Sequence, residues 1–548
     1  MPDGITLAWI LFSVYLVATF YLAYLGHKHT EDFASFAVGK RDMSPGIAGL
    51  TLGACLASTQ TFVLNPGLVY HFGISALFAL TIPVFLGIFA GLALLGPGFR
   101  EQGGKALTLP QWIGQRYDSD NLRTWVAVLN VLTFFYIVSI VSGAAIVMAK
   151  TMGLNGLSLF EGVEATGAGF SAYKLSLLIV VGVVFTYVFF GGTYAHAYTN
   201  TAQGAIMLVV AIIIGGYALG DIFGADAEAV KAVTEKRPDY FALFNPKSPI
   251  SSDWLTTLVA PFVLGFMIIS QPHLLIKSLY LKESKDMTKF LVVGGGSFVI
   301  FSLVMLSGVA ARVTDPTGVV ASDTVAAEWI SRSLPGLLGA FVSVAILAAA
   351  MSTLDGLLVA VSSIIGADIV THPKMREWLS IESEDDVNRA SMNGGRIAIV
   401  VLGVGAALVS WFKPDNVALF GMFGLFGLLA ATVPALVYGI WARRVPSAGV
   451  MGVASVVGLV VHLVLYGCGS AAKLGFDPET ARWLAGYGTP SPILSAAAGM
   501  VIALPIPALL GLVFGRPVVE VVRSESLESA PSKDDTPEPV GDLEPVGA

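Results

Sequence analysis

Two short stretches of this chain carry side chains whose types and spacing could do chemistry. In the first, Leu50 to Gly67 (LTLGACLASTQTFVLNPG), Ser58, Thr59, Gln60 and Thr61 follow an apolar run and precede Asn65, Pro66 and Gly67. Four consecutive hydrogen-bonding side chains at mid-membrane depth are costly in lipid, so they should face protein, water or a bound solute. In the second, AILAAAMSTLDGLLVAVSS, residues Ala349, Ser352, Thr353 and Gly356 fall at i, i+3, i+4 and i+7, which sets two hydroxyls between small residues on one helical face. A hard monovalent cation is held by several neutral oxygens. Hydroxyls from this face, with carbonyls loosened by a break in the first stretch, would supply them. The alternative for both stretches is an ordinary span whose hydroxyls bond back to their own turn or line a packing face. Asp355 weighs toward function, because an intramembrane carboxylate needs a reason.

Two other places set polar residues among apolar ones. Ser270, Gln271, Pro272 and His273 are followed by Lys277, and Pro272 removes a backbone hydrogen bond, which predicts a kink or opening there. Lys277 reads as a headgroup anchor and His273 as an interfacial hydrogen-bonder. In FFGGTYAHAYTNTAQGAIM, Gly191 and Gly192 predict a tight turn between two helices, with Thr199, Asn200 and Gln203 bonding a neighbouring helix from the second. No His, Cys or acidic grouping has the spacing of a nucleophile with its base or of a metal cluster, so an intramembrane enzyme is not indicated. Cys55 and Cys468 read as buried thiols.

The elements that must position these residues are membrane spans. With 548 residues, 55% of them hydrophobic and 13% charged, and a mean hydropathy of +0.76, no soluble core hides this much apolar sequence. The pattern predicts an all-α polytopic membrane protein of about thirteen transmembrane helices. They fall near 5–26, 46–72, 74–96, 122–150, 172–190, 194–220, 254–281, 287–313, 337–371, 395–412, 416–442, 447–468 and 491–515. An interfacial piece runs from Leu107 to Tyr117. The first apolar run lacks a basic flank and a cleavage site, so it reads as a retained span rather than a signal peptide. The tail from Arg516 is rich in Ser, Glu, Asp and Pro and predicts disorder.

Basic residues set the expected orientation. Roughly two-thirds of the 31 Lys and Arg fall on the side that holds the loop after the first span and the C-terminus, among them Lys40, Arg41, Arg100, Arg116, Lys277, Lys282, Arg443 and Arg444. The positive-inside rule then puts the N-terminus outside and the tail in the cytoplasm of a plasma-membrane protein. The formal net charge of −7 lies largely in tail and loops. Nucleic acid is not indicated as a partner.

Four motifs in order identify the chain as resembling the sodium/solute symporter family. GGTYAHAYTNTAQ is similar to that family's GG-x-x-AV-x-x-TD-x-x-Q, AAAMSTLDG to its AA-x-MST-x-D region, SQPHLLIKSLYLK to its QPH-x-x-x-R region, and TLPQWIGQRY to the piece between its third and fourth spans. The resemblance implies a leucine-transporter-type fold of two inverted five-helix repeats with broken first helices. The repeats would be 46–220 and 254–442, separated by an extracellular loop at 221–253. An extra helix and loop at 1–45 would precede them, two helices at 443–515 would follow, and a cytoplasmic tail at 516–548 would end the chain.

Carried over residue by residue, the family's sodium site falls on the carbonyls of Ala54, Ala57 and Ala349 with the hydroxyls of Ser352 and Thr353. Substrate is expected beside it, near Ser58, Thr59, Gln60 and Thr61, facing Phe266, Met267 and Gln271 and the Tyr136, Ser139, Ser142 stripe. Leu56 stands where proline transporters carry an acid, and Lys277 replaces the usual Arg. Asn200 replaces the usual Asp, which leaves Asn200 and Asp355 as candidates for an ion path or a second ion.

These residues predict a sodium-coupled symporter of a small organic solute, a monocarboxylate or other small anion in first place, since no Arg or Lys lies in the deduced pocket and a broken helix binds carboxylates through backbone N–H groups. The same hydroxyls suit a neutral sugar or polyol. Proton coupling and a transporter-like sensor are the other readings, although the tail is too short for a kinase domain. Expected partners are the solute, Na+ as coupling ion and the lipid bilayer. No cofactor and no obligate protein partner is expected.

Overall fold

The computed structural model describes residues 4–28, 33, 37, 43–102, 106–154, 171–316, 318–412, 416–442 and 445–514. Lys40, Arg41, Arg443, Arg444 and the tail from Arg516 lie outside them. Among the described residues the architecture is helical, with one isolated bridge between Met43 and Leu281 instead of strands. Among the described residues eleven helices are long and apolar enough to cross a membrane, and two more pairs are spans bent at a short break, giving the thirteen that the hydropathy pattern predicts.

In chain order the spans are 1 (Gly4–Gly26), 2a and 2b (Pro45–Leu56 and Gln60–Phe72), 3 (Ile74–Gln102), 4 (Asp120–Thr151), 5 (Ala172–Phe190) and 6 (Thr199–Gly224). They continue as 7a and 7b (Leu255–Ile268 and Pro272–Tyr280), 8 (Met287–Thr314), 9 (Gly336–Val370), 10 (Glu384–Trp411), 11 (Val417–Trp441), 12 (Ala448–Gly469) and 13 (Pro492–Leu510). The bends are 49° in span 2 and 61° in span 7. A broken helix thus opens each run of five spans, and because five is odd the two runs cross the membrane in opposite senses. Spans 4, 9 and 11 are mostly buried and form the centre, while spans 1, 10 and 12 leave most of their surface to lipid.

Local sequence explains both breaks. Span 2a starts at Pro45 behind Ser44, whose hydroxyl accepts the Ile47 N–H, and it ends at Ala57, with φ −96° and ψ 83°. Span 2b then opens with a π-helical turn, Gln60–Leu64, so that Pro66 falls in the first turn of the α-helix Asn65–Phe72, where a missing N–H costs nothing. The interruption therefore sits at residues 57–59, and the Asn65, Pro66, Gly67 triplet is helical. Span 7b likewise begins at Pro272, after Gln271 in extended backbone.

Where the glycine pair predicted a tight turn, helical backbone runs unbroken from Ala172 to Gly224. Its axis nevertheless turns. The Tyr187 and Thr199 hydroxyls both lie 3.3 Å from one oxygen of Asp355, although twelve residues of straight helix would separate their backbones by about 18 Å. Gly191 and Gly192 lie between them, the composition at which helices bend without ending.

Spans 3 and 7a touch backbone to backbone. A Cβ added at Gly87 would stand 2.1 Å from the Phe262 carbonyl oxygen, and one at Gly265 would stand 2.1 Å from that of Val84. Gly265→Val is therefore expected to lower the unfolding midpoint in detergent by several degrees, since overpacking costs about 1–3 kcal/mol and neither backbone can yield as a side chain would. An unchanged midpoint would refute the contact.

Candidate cation and solute site

The break in span 2 releases the carbonyls of Ala54, Cys55 and Leu56 from their helical donors, and side chains take them up. Ser352 Oγ lies 3.3 Å from Ala54 O and 2.8 Å from Ala349 O. Thr353 Oγ1 is 3.5 Å from both Cys55 O and Ala349 O, and Thr61 Oγ1 donates to Leu56 O at 3.3 Å. Four of the five expected cation-site residues, Ala54, Ala349, Ser352 and Thr353, are thus brought together and fully buried. Ala57 sits at the break itself. A cation with oxygen contacts of about 2.4 Å, the length typical of one the size of calcium, places neighbouring octahedral ligands about 3.4 Å apart. The 3.3–3.5 Å spacings match such a cluster, whereas the 2.8 Å contact is Ser352 donating back to Ala349 O in its own turn; the oxygens are all neutral, which suits a single positive charge. Cys55, whose carbonyl joins this set, was not in it from sequence.

Beside it lies a cavity of about 90 Å³, lined by Gln60, Thr61, Asn65, Tyr136 and Gln271 among apolar residues that include Leu56, Leu264, Ile268, Met422 and Phe426. No charged side chain lines it. Gln60 Nε2 donates to Asn65 Oδ1 at 3.1 Å, and its Oε1 lies 3.4 Å from Ser139 Oγ, whose proton goes to Val417 O at 2.9 Å. Ser58 bonds Tyr136 Oη at 3.0 Å and accepts the Gln60 N–H at 3.1 Å, which pins the start of span 2b. Asn65 is the lining residue that sequence reasoning passed over, because it read as part of the break.

Other expected solute residues point elsewhere. Ser142 donates to Ser410 Oγ at 3.0 Å. It stands six residues after Tyr136, about 120° around the helix. Thr59 packs against Gly143 of span 4. Leu264 and Ile268, one turn apart, form the cavity face of span 7a, and neither Phe266 nor the buried Met267 is among the lining residues.

Behind the cation cluster is a buried polar network. Lys277 Nζ donates to His196 Nε2 at 2.8 Å, and His196 Nδ1 lies 2.8 Å from Asp355 Oδ1. Lysine has only donors, so His196 accepts at Nε2 and donates from Nδ1 to the carboxylate. Tyr187 and Thr199 bond the other oxygen of Asp355. Asn200 Nδ2 is 3.1 Å from Cys55 Sγ, 3.3 Å from His196 Nε2 and 3.5 Å from Ser352 O. Gln203 donates to Tyr15 Oη at 2.6 Å, so the polar residues of span 6 do bond neighbouring helices.

The network corrects three expectations. Lys277 is fully buried rather than anchored in headgroups, because the bend of span 7 turns it inward. His273 is buried too, and its Nδ1 has no hydrogen-bond partner among the described residues. Cys55 is buried as expected, whereas Cys468 is partly exposed at the end of span 12. His196 was missed; its signal was a departure from the family motif GG-x-x-AV-x-x-TD-x-x-Q, which has Val where this chain has His.

Comparison with known proteins follows this geometry. The model described as the sodium:solute symporter family matches residues 36–458. The chain is 27% identical over 431 residues to the sodium/proline symporter 2 of Staphylococcus saprophyticus, covering 75% of this chain and 76% of that one. It is 25% identical over 479 residues to the sodium/pantothenate symporter of Haemophilus influenzae, covering 85% and 91%. A solved Na+-coupled sialic acid symporter in a substrate-bound, outward-open state superposes with a TM-score of 0.68 at 16% identity, over 94% of this chain and 99% of that one. A nucleobase-cation-symport-1 family transporter gives 0.52 at 11%, over 87% and 95%. These likenesses place the fold in the leucine-transporter class.

Proposed function

The chain belongs to the sodium:solute symporter family, a family of transporters and not of enzymes, and on that premise we propose that it imports a small carboxylate-bearing solute with sodium across the plasma membrane by alternating access. The observation that carries this reading is the pairing of an all-neutral oxygen cluster at Ala54, Ala349, Ser352 and Thr353 with an uncharged cavity at the same helix break. Hydroxyls and the opened end of span 2b offer a carboxylate donors without a fixed cation. The two relatives point the same way, since proline and pantothenate both carry a carboxylate. Leu56 in the lining weighs against proline itself. The amides of Gln60, Asn65 and Gln271 favour a second reading, a neutral polar solute.

The orientation proposed is N-terminus outside and tail in the cytoplasm. A panel of small carboxylates and of sugars and polyols, offered to proteoliposomes with and without a sodium gradient, tests the function. Sodium-dependent uptake confined to the uncharged solutes would reject the carboxylate reading. For whichever solute is taken up, Gln60→Leu is expected to raise the apparent solute constant at least tenfold, because it removes one polar cavity group and leaves Asn65 Oδ1 without its donor, while Ser139 keeps its bond to Val417 O.

We also propose one sodium per solute. A second ion taken into low dielectric is best held by a carboxylate. Position 200 is an amide, and the Asp355 carboxylate is already occupied by His196, Tyr187 and Thr199. One-to-one transport of a monovalent anion moves no net charge, so uptake should ignore membrane voltage and a tenfold sodium gradient, worth about 1.4 kcal/mol, should support about tenfold accumulation. Voltage-driven uptake of an anion by the wild-type protein would reject this stoichiometry.

A further inference from the structure

The solute cavity is lined unevenly. Its polar side chains come from span 2b, from Tyr136 of span 4 and from Gln271 at the break of span 7, whereas spans 3, 7a, 8, 11 and 13 add only apolar ones. Val84 and Ile88 of span 3 line it together with Phe298 and Met305 of span 8, and Ile493 reaches it from span 13, which stands outside both runs of five. Backbone contacts fix these walls. As Gly87 and Gly265 bring spans 3 and 7a together, so a Cβ at Gly458 of span 12 would stand 2.4 Å from the Ala430 carbonyl oxygen of span 11, and one at Gly499 of span 13 would stand 2.4 Å from that of Gly458. Ile493, 1% exposed, is thus carried on a helix already in backbone contact with its neighbour, so the space it bounds is set by its side chain.

The polar groups of the cavity are mostly spent on one another. Gln60 Nε2 donates to Asn65 Oδ1, Thr61 donates to Leu56 O, and Tyr136 bonds Ser58. Asn65 Nδ2 and the carboxamide of Gln271, by contrast, make no hydrogen bond among the described residues. Their amide N–H groups match the acceptor-only oxygens of one carboxylate. A solute hydroxyl elsewhere in the cavity would meet apolar carbon in place of a partner, which lowers affinity about fivefold or more. A water-sized atom takes about 10–15 Å³ of such space, so the cavity of about 90 Å³ holds a solute of about six to nine non-hydrogen atoms.

We propose that the solute is an unsubstituted short-chain carboxylate, its carboxylate on the amides of Asn65 and Gln271 and its hydrocarbon end of about three to six carbons on the apolar wall, with Ile493 setting the length accepted. The inference rests on the carboxylate reading given above and narrows it. Each methylene seated on the wall adds about fourfold in affinity until the space is full. A further carbon then has to displace packed side chains, so affinity passes through an optimum with chain length.

The test is 22Na+ entry into proteoliposomes, driven in turn by straight-chain carboxylates from acetate to octanoate and by lactate and glycerate, which match butanoate and pentanoate in number of non-hydrogen atoms. The half-maximal concentration is expected to be lowest between butanoate and heptanoate, at least tenfold below that of acetate, and for butanoate and pentanoate at least fivefold below that of the matched hydroxy acid. Ile493→Ala should move the optimum to a chain one or two carbons longer and Ile493→Phe to a shorter one, and a fold defect does not produce opposite shifts. An optimum that neither substitution moves would overturn the inference. So would half-maximal concentrations still falling at octanoate, or lactate and glycerate as effective as their matched partners. Entry driven by sugars or polyols and by no carboxylate would overturn the carboxylate reading and this inference together, whereas entry driven by carboxylates without a length optimum overturns this inference alone.

Discussion

Removing either hydroxyl of the cation cluster, in Ser352→Ala or Thr353→Ala, should raise the sodium concentration for half-maximal uptake at least tenfold while leaving membrane insertion and surface expression near wild type. Each change deletes one oxygen from a set with few, and each frees a carbonyl of the broken span: Ala54 O loses Ser352 Oγ, and Cys55 O loses Thr353 Oγ1. Alanine is the best helix former, so span 9 itself is not weakened. A tenfold shift corresponds to about 1.4 kcal/mol, within the range of one hydrogen-bonding partner lost to a charged group. The measurement is uptake against sodium concentration, with expression quantified alongside. Half-saturation unchanged in both variants would remove the cation from this face.

The second large effect concerns Lys277 and Asp355, two opposite charges bridged by His196 where solvent does not reach. Lys277→Met leaves the carboxylate without its counter-charge, and Asp355→Asn does the same to the ammonium. Breaking one side of a buried pair costs about 3–5 kcal/mol, much of it the penalty of the charge left behind. Each single variant should therefore lose most of its folded yield or unfold at a much lower temperature in detergent. The double variant removes both charges and should recover part of that loss, with a coupling of at least about 2 kcal/mol in a double-mutant cycle. Strict additivity would show that the two charges do not sense each other through His196. Lys277→Arg keeps the charge but brings a planar fork to a position where a single amine meets one imidazole nitrogen, so it should restore stability only in part.

This network also bears on how the protein departs from the motifs it resembles. Asn200 where an acid is usual and Lys277 where arginine is usual read in sequence as two separate losses. In the structure they adjoin the same imidazole, with Asn200 Nδ2 3.3 Å and Lys277 Nζ 2.8 Å from His196 Nε2. The negative charge of the region stands on Asp355 of the facing helix, the acid that the AA-x-MST-x-D motif itself carries. The substitutions at 200 and 277 are thus parts of one buried arrangement, and the chain keeps a paired ammonium and carboxylate behind its proposed cation cluster.

Hydropathy and local chemistry determined much by themselves: the membrane class, the thirteen spans, the proline-marked opening of span 7 and the pairing of hydroxyls at Ser352 and Thr353. These follow from forces that act along a few turns of chain, because a lipid-facing backbone must bond within its own segment and a missing N–H cannot be hidden. Motif order then pointed to spans 2 and 9 as partners. What only the tertiary structure decided is which polar side chains meet. Ser142 resembled Ser139 in sequence, yet it lies about 120° from Tyr136 around the span and bonds Ser410. Lys277 had the spacing of a headgroup anchor, and a 61° bend turned it inward to an imidazole from another span. Gly191 and Gly192 promised a tight turn, yet the backbone there is helical. Each of these outcomes depends on the direction of a helix axis after a break or bend. That direction is set by packing between segments hundreds of residues apart, which no local pattern of residues encodes.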